Sequence, residues 1–184
     1  MKNVVLIDSD SLCYLGQKDD TLQQIIEKVD YKIQAILDET NADYYCLFVS
    51  QGKYFRHDLK DKSEESGSYK SNRKYSNQNY NRVIKEYLIA QYDAVNSPNV
   101  EADDTIAYWM NKELFLCLNA RNSEDMPEFV ILPKEYAEFQ PQLDVFTSRA
   151  HAPEGLNVVL ASIDKDLLQS IPGKHLNYNK KLDA

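Results

Sequence analysis

Three short apolar runs constrain this chain more than anything else in it. NVVLI (residues 3–7), YYCLFVS (44–50) and NVVLASI (157–163) are rich in branched and aromatic residues. A strand that is apolar on both sides must be covered on both faces, as strands of a parallel sheet between helical layers are. The intervening sequence supplies the helices. Ile25, Ile26, Val29, Ile33, Ile36 and Leu37 recur at helical spacing between Thr21 and Asp38. Residues 79–92 read as a second helix. Ile106, Trp109, Met110, Leu114 and Cys117 mark a third, reached through the extended piece DAVNSPNV. Strands alternating with helices place the chain in the α/β class, with a central, mostly parallel sheet and helices on both faces.

At 184 residues the expectation is one domain, 1–184, with a sizeable core. No run of 18 apolar residues occurs, so no membrane span is expected. The apolar stretch at the N-terminus is too short for a signal peptide and is cut off by acids. Cys13, Cys46 and Cys117 are widely spaced among apolar neighbours, and form neither a disulfide framework nor a CxxC pair. These features together read as a cytoplasmic protein with buried, reduced thiols. Residues 119–156 fit the pattern least. Four prolines (Pro127, Pro133, Pro141, Pro153) fall there, and the segment reads as an extra strand or two, or a flap.

Charge is unevenly spread. The formal net charge is −8, but residues 53–85 hold nine Lys/Arg against four Asp/Glu, leaving −13 for the remainder. A basic segment beside an acidic body suggests two electrostatic tasks. The acids, moreover, sit at comparable addresses. Asp8 and Asp10 follow the first apolar run, Glu101, Asp103 and Asp104 open the third helix, and Asp164 and Asp166 follow the last run. In open α/β sheets, sites form outside the carboxyl ends of the strands. Each cluster also has a plain structural reading, since acids in a first helical turn favour the dipole and cap free N–H groups. Asp8 or Asp164 alone would serve as such a cap. Capping needs one carboxylate per helix, however, and seven acids gathered together are costly without a cation. All-oxygen donors suit Mg²⁺ or Mn²⁺. Two ions about 4 Å apart would activate a water and stabilise the leaving oxygen of a phosphodiester. The histidines (His57, His151, His175) are too scattered for a zinc site, and no nucleophile-elbow, zincin or P-loop motif occurs.

With those residues in view, the chain resembles the 5′–3′ exonucleases and flap endonucleases, and the phage enzymes most in look. The motifs are VVLIDSDSL, FVSQGKYFRHDL, SYKSNRK, VEADDTIAY and VLASIDKDLLQSIPGK, in that order over almost the whole chain. The resemblance implies a PIN-like three-layer fold with an arch over the active site, here residues 51–85. It implies that Asp8, Glu101, Asp103, Asp104, Asp164 and Asp166 hold two Mg²⁺ or Mn²⁺ ions, with Asp10 in an outer shell. It implies catalytic roles for Asp8, Asp104, Lys70 and Arg73, the last two as a basic pair at the scissile phosphate. Substrate contact would extend to Tyr69, Lys74 and Arg56. The partner would be DNA with 5′ ends or flaps, or an RNA–DNA hybrid, in a bacterial host's cytoplasm for a phage-encoded enzyme.

Three departures stand out. Ser50 occupies the end of the second strand, where the family has an Asp. Asp104 and Asp164 are 60 residues apart (164 − 104), a longer link than the family's, so that beside the family residues 119–156 look like an insertion. Nothing before Ala184 matches the helix-hairpin region that grips duplex DNA. The expectation is therefore either a nuclease core from a longer protein or a form relying on a replication-protein partner. Two other readings compete. One is a nucleic-acid-binding or assembly module that kept its acids. The other is a haloacid-dehalogenase-type phosphohydrolase, suggested by LIDSDSL, although Leu12 stands where that motif prefers Thr or Val.

Overall fold

Alternation along the first apolar run decides how the layers form. In the computed structural model, which describes residues 2–51, 78–96, 99–112, 118–122 and 156–179, this run is β1 (Lys2–Asp8). Val4 and Leu6 join one core and Val5 and Ile7 the other, because successive strand side chains point to opposite faces. β1 lies in the middle of a five-stranded sheet. The other strands are β2 (Tyr44–Phe48), β3 (Asn119–Ala120), β4 (Leu156–Ala161) and β5 (Lys174–Leu176), in the order β3-β2-β1-β4-β5. β1 runs parallel to β2 and β4, and β5 runs parallel to β4. Only the two-residue β3 is antiparallel. The sheet is therefore mostly parallel, as the apolar runs require.

Helices cover both faces. The Val5/Ile7 face is covered by α1 (Leu22–Glu39), through Ile25, Val29, Ile33 and Ile36, and by α2 (Gln78–Tyr92), through Ile84 and Leu88. On the Val4/Leu6 face lie α3 (Ala102–Lys112), with Ile106 and Trp109, and the short α4 (Lys165–Ser170), with Leu167. Trp109 meets Phe48 of β2 edge-on, ring centroids 4.9 Å apart.

Local chemistry sets the ends of α1. Thr21 and Gln24 form a reciprocal capping box at its start. At its end the Ala42 N–H bonds the Leu37 carbonyl and the Asn41 N–H the Asp38 carbonyl. This is a Schellman closure, with Asn41 at φ 46 in the left-handed position. α1 and α2 are tied by Asp30, which accepts hydrogen bonds from the Tyr87 and Tyr92 hydroxyls at 2.7–2.9 Å.

Some elements differ from the sequence reading. β2 stops at Phe48 and the last apolar run is a strand over Leu156–Ala161. β5 had no apolar signal in GKHL. It is a three-residue edge strand, entered through Gly173 at φ +129, where L side chains are strained. Val95 in the extended DAVNSPNV piece forms a parallel bridge with Phe48. The 119–156 segment contributes β3 and the first residue of β4; residues 123–155 lie outside the described ones. No helix among the described residues is long and apolar enough to cross a membrane.

Register places the site. Asp8 pairs with Phe48, and Ile7 with Ala161, so β1, β2 and β4 end level. The chain adds β2 on one side of β1 and later β4 on the other. That reversal opens a crevice beyond the carboxyl end of β1.

Candidate metal centre

Asp8 closes β1 at this crevice, with its residue only 7% exposed. Ser162, just past β4, donates its hydroxyl to Asp8 Oδ2 at 2.8 Å, and Ser162 Oγ in turn accepts from the Asp164 N–H at 3.0 Å. The Tyr178 hydroxyl donates to the Asp8 carbonyl at 2.6 Å. Burial pushes the Asp8 carboxyl up to about 6. The Asp10 charge adds to this and the Asp103 charge more weakly, against the lowering effect of the Ser162 hydroxyl.

Glu101 is buried and Asp103 and Asp104 are half-buried at the start of α3. One carboxylate oxygen from each lies within 4.8 Å of the other two. Oxygens around one hard cation stand no further apart than twice a bond length of about 2.0–2.6 Å, so the spacing and the donor type both fit such an ion. Asp8, Asp10, Asp164 and Asp166 stand outside this tight group. Asp164 caps α4, accepting from the Asp166 N–H at 2.9 Å, and both residues are exposed. The plain capping role is therefore realised for Asp164.

Ser50 has a definite task. Buried beyond β2, its hydroxyl accepts from the Ala102 N–H at 2.8 Å, satisfying a donor at the start of α3. Its own N–H donates to Asp10 Oδ1 at 2.9 Å. The Lys85 ammonium from α2 pairs with the same Asp10 oxygen at 3.0 Å and donates to the Ser50 carbonyl. Where the resembled family has a carboxylate, this chain has a hydroxyl that binds β2 to α3, beside an ion pair.

Lys85, Ser162 and Tyr178 were not singled out from sequence. Lys85 was one of nine cations in the basic segment, and Ser162 lay inside the quoted VLASIDKDL. Tyr178 carried no signal, since its bond to Asp8 spans 170 residues. Arg56, Tyr69, Lys70, Arg73 and Lys74 lie outside the described residues, as does Cys117. Cys13 and Cys46 are free and buried, and burial pushes the Cys13 thiol up to about 12, so it is no nucleophile at neutral pH.

Replacing Lys85 by Met keeps the stem and removes the ammonium. The expected loss is about 1–2 kcal/mol, because the partners are only partly desolvated. In a double-mutant cycle with Asp10→Asn, measured by urea unfolding, the double variant should lose less than the sum of the singles.

Comparison with protein-family models, with curated proteins and with solved structures gives no match to this chain.

Proposed function

We propose that this protein is a divalent-metal-dependent nuclease of PIN-like type, cutting phosphodiester bonds near 5′ ends or flaps of DNA. One observation carries the reading. At the start of α3, one carboxylate oxygen each from Glu101, Asp103 and Asp104 lies within 4.8 Å of the other two, an all-oxygen set that suits a hard divalent ion. Glu101, Asp103 and Asp104 would hold the ion, with Asp8 beside them. When bound, Mg²⁺ or Mn²⁺ supplies activation of the attacking water and charge stabilisation at phosphorus. The chain's own part is positional. Ser162 orients the Asp8 carboxylate, Ser50 fixes the start of α3, and Lys85 offsets Asp10. The choice of DNA ends as substrate rests on the motif resemblance, as do the second ion, the roles of Lys70 and Arg73, and ligation by Asp164 and Asp166.

A second reading has its own observations. Ser50 serves as a helix cap in place of a carboxylate, and Asp164 is engaged in capping α4, which favours a nucleic-acid-binding module with a weakened site. A labelled 5′-flap substrate incubated with Mn²⁺, with Mg²⁺ and with chelator separates the two. Cleavage that needs the ion and is lost in Asp104→Asn is the expected result. Binding without cleavage would replace the nuclease by the binding module, and neither binding nor cleavage would remove both.

A further inference from the structure

We propose that a cavity lined by Tyr178, whose hydroxyl also bonds the Asp8 carbonyl, is a subsite for one terminal nucleotide of a single strand. It encloses about 630 Å³ between α1 and the turns after β1 and β5, within the ~300–1,000 Å³ usual for small-molecule sites. Its walls have the three components that a nucleotide needs.

The first is an aromatic face. Tyr31 on α1 is 78% exposed, the most exposed large apolar side chain among the described residues, and it borders the cavity. Bases of any sequence stack on such rings. Leu12, Leu15 and Ile163 add apolar lining.

The second is a cation for the phosphate. Of the two lysines on this wall, Lys28 is taken by Asp20 at 2.6 Å. Lys32 lies over the Tyr178 ring, 5.7 Å from its centroid, and has no carboxylate partner among the described residues. Glu27, on the same wall, accepts from the Gln23 amide at 3.1 Å and keeps its charge. Lys32 is the lysine of this wall that no carboxylate among the described residues holds, and the one offered to a phosphate. The third component is a polar group for a base edge, the side chain of Asn179, beside Gln24, whose oxygen caps α1.

Position gives the cavity its role. Tyr178 and Ser11 line it and hydrogen-bond one another, and the same Tyr178 hydroxyl donates to the Asp8 carbonyl. The cavity and the crevice therefore share one wall. The subsite deepens the nuclease reading and rests on it for the strand; the cavity's affinity for a nucleotide does not depend on cleavage.

The test is a titration with 5′-phosphorylated dT4 in EDTA, followed by NMR shifts, at two salt concentrations. Shifts should centre on Tyr31, Lys32 and Asn179. Tyr31→Ala should weaken binding about tenfold. Lys32→Ala should reduce the slope of log K against log salt by about 0.7. Tyr14→Ala, an exposed tyrosine outside the cavity, should leave binding unchanged, and unchanged melting of the variants shows that they fold. The proposal is overturned if wild type shows no shifts there, if Tyr31→Ala binds as well as wild type, or if inorganic phosphate alone reproduces the shifts. Chelation removes cleavage from this measurement. Flap cleavage without dT4 shifts sinks the subsite alone, and dT4 shifts without flap cleavage sink the nuclease alone.

Discussion

Asp8→Asn should stabilise the metal-free protein at neutral pH and, on the proposed nuclease reading, abolish metal-dependent cleavage. The Asp8 carboxyl is raised from an ordinary 3.8 to about 6 in the folded protein, by burial first and then by the charges of Asp10 and Asp103. The folded state therefore holds this proton more tightly than the unfolded chain. Its favourable contribution is fully present below about pH 3.8 and is lost as pH rises through about 6. At pH 7.5 and with chelator present, the ionised buried carboxylate costs on the order of 2–3 kcal/mol. Asparagine removes that charge, and its carboxamide oxygen can still accept the Ser162 hydroxyl. Urea unfolding in EDTA at pH 5 and pH 7.5 checks this. Wild type should lose stability between the two values relative to Asp8→Asn. Mn²⁺ should then raise the wild-type midpoint by mass action and raise that of the variant less. Equal midpoints for the two proteins in EDTA at pH 7.5 would mean that the charge at Asp8 is already compensated. The expected pattern is a site that costs stability until its ion arrives, a trade often seen where function needs crowded charge.

The second large effect is in the core. Trp109→Ala should cost about 3–5 kcal/mol and lower the melting temperature on the order of 10 °C. Trp109 is 0% exposed and packs edge-on against Phe48, so truncation opens a void between α3 and the sheet. Its ring N–H has no hydrogen-bond partner among the described residues. Trp109→Phe therefore loses packing but no hydrogen bond, and should be much milder. Circular dichroism is the suitable probe, since Trp109 is the only tryptophan. Similar losses for Ala and Phe would show that the indole N–H, and not ring volume, is what the site requires.

Both residues could be seen in the sequence, for different reasons. Trp109 lay on the apolar stripe of a helix, and Asp8 ended an apolar run, where parallel sheets place their sites. Periodicity reveals such positions because it is a local property. The partners were hidden because they are distant in sequence. Ser162 reaches Asp8 across 154 residues. β5 escaped notice because an exposed edge strand of three residues needs no apolar pattern. Ser50 appeared as a missing carboxylate, and only its contact with the Ala102 N–H reveals what the hydroxyl does there. Asp164 illustrates the limit of pattern alone, since S-x-D-K-D is compatible with a ligand and with a cap, and the described geometry shows the cap.

The bond from the Lys85 ammonium to the Ser50 carbonyl joins residues 35 positions apart. It works as a clasp, drawing both roots of the basic excursion to the same spot beside Asp10. Closing a longer loop costs only about 0.6 kcal/mol per doubling of its length. Variation in the length of the sequence between Ser50 and Lys85 thus carries a small entropic cost, while the clasp keeps the charged crevice as it is.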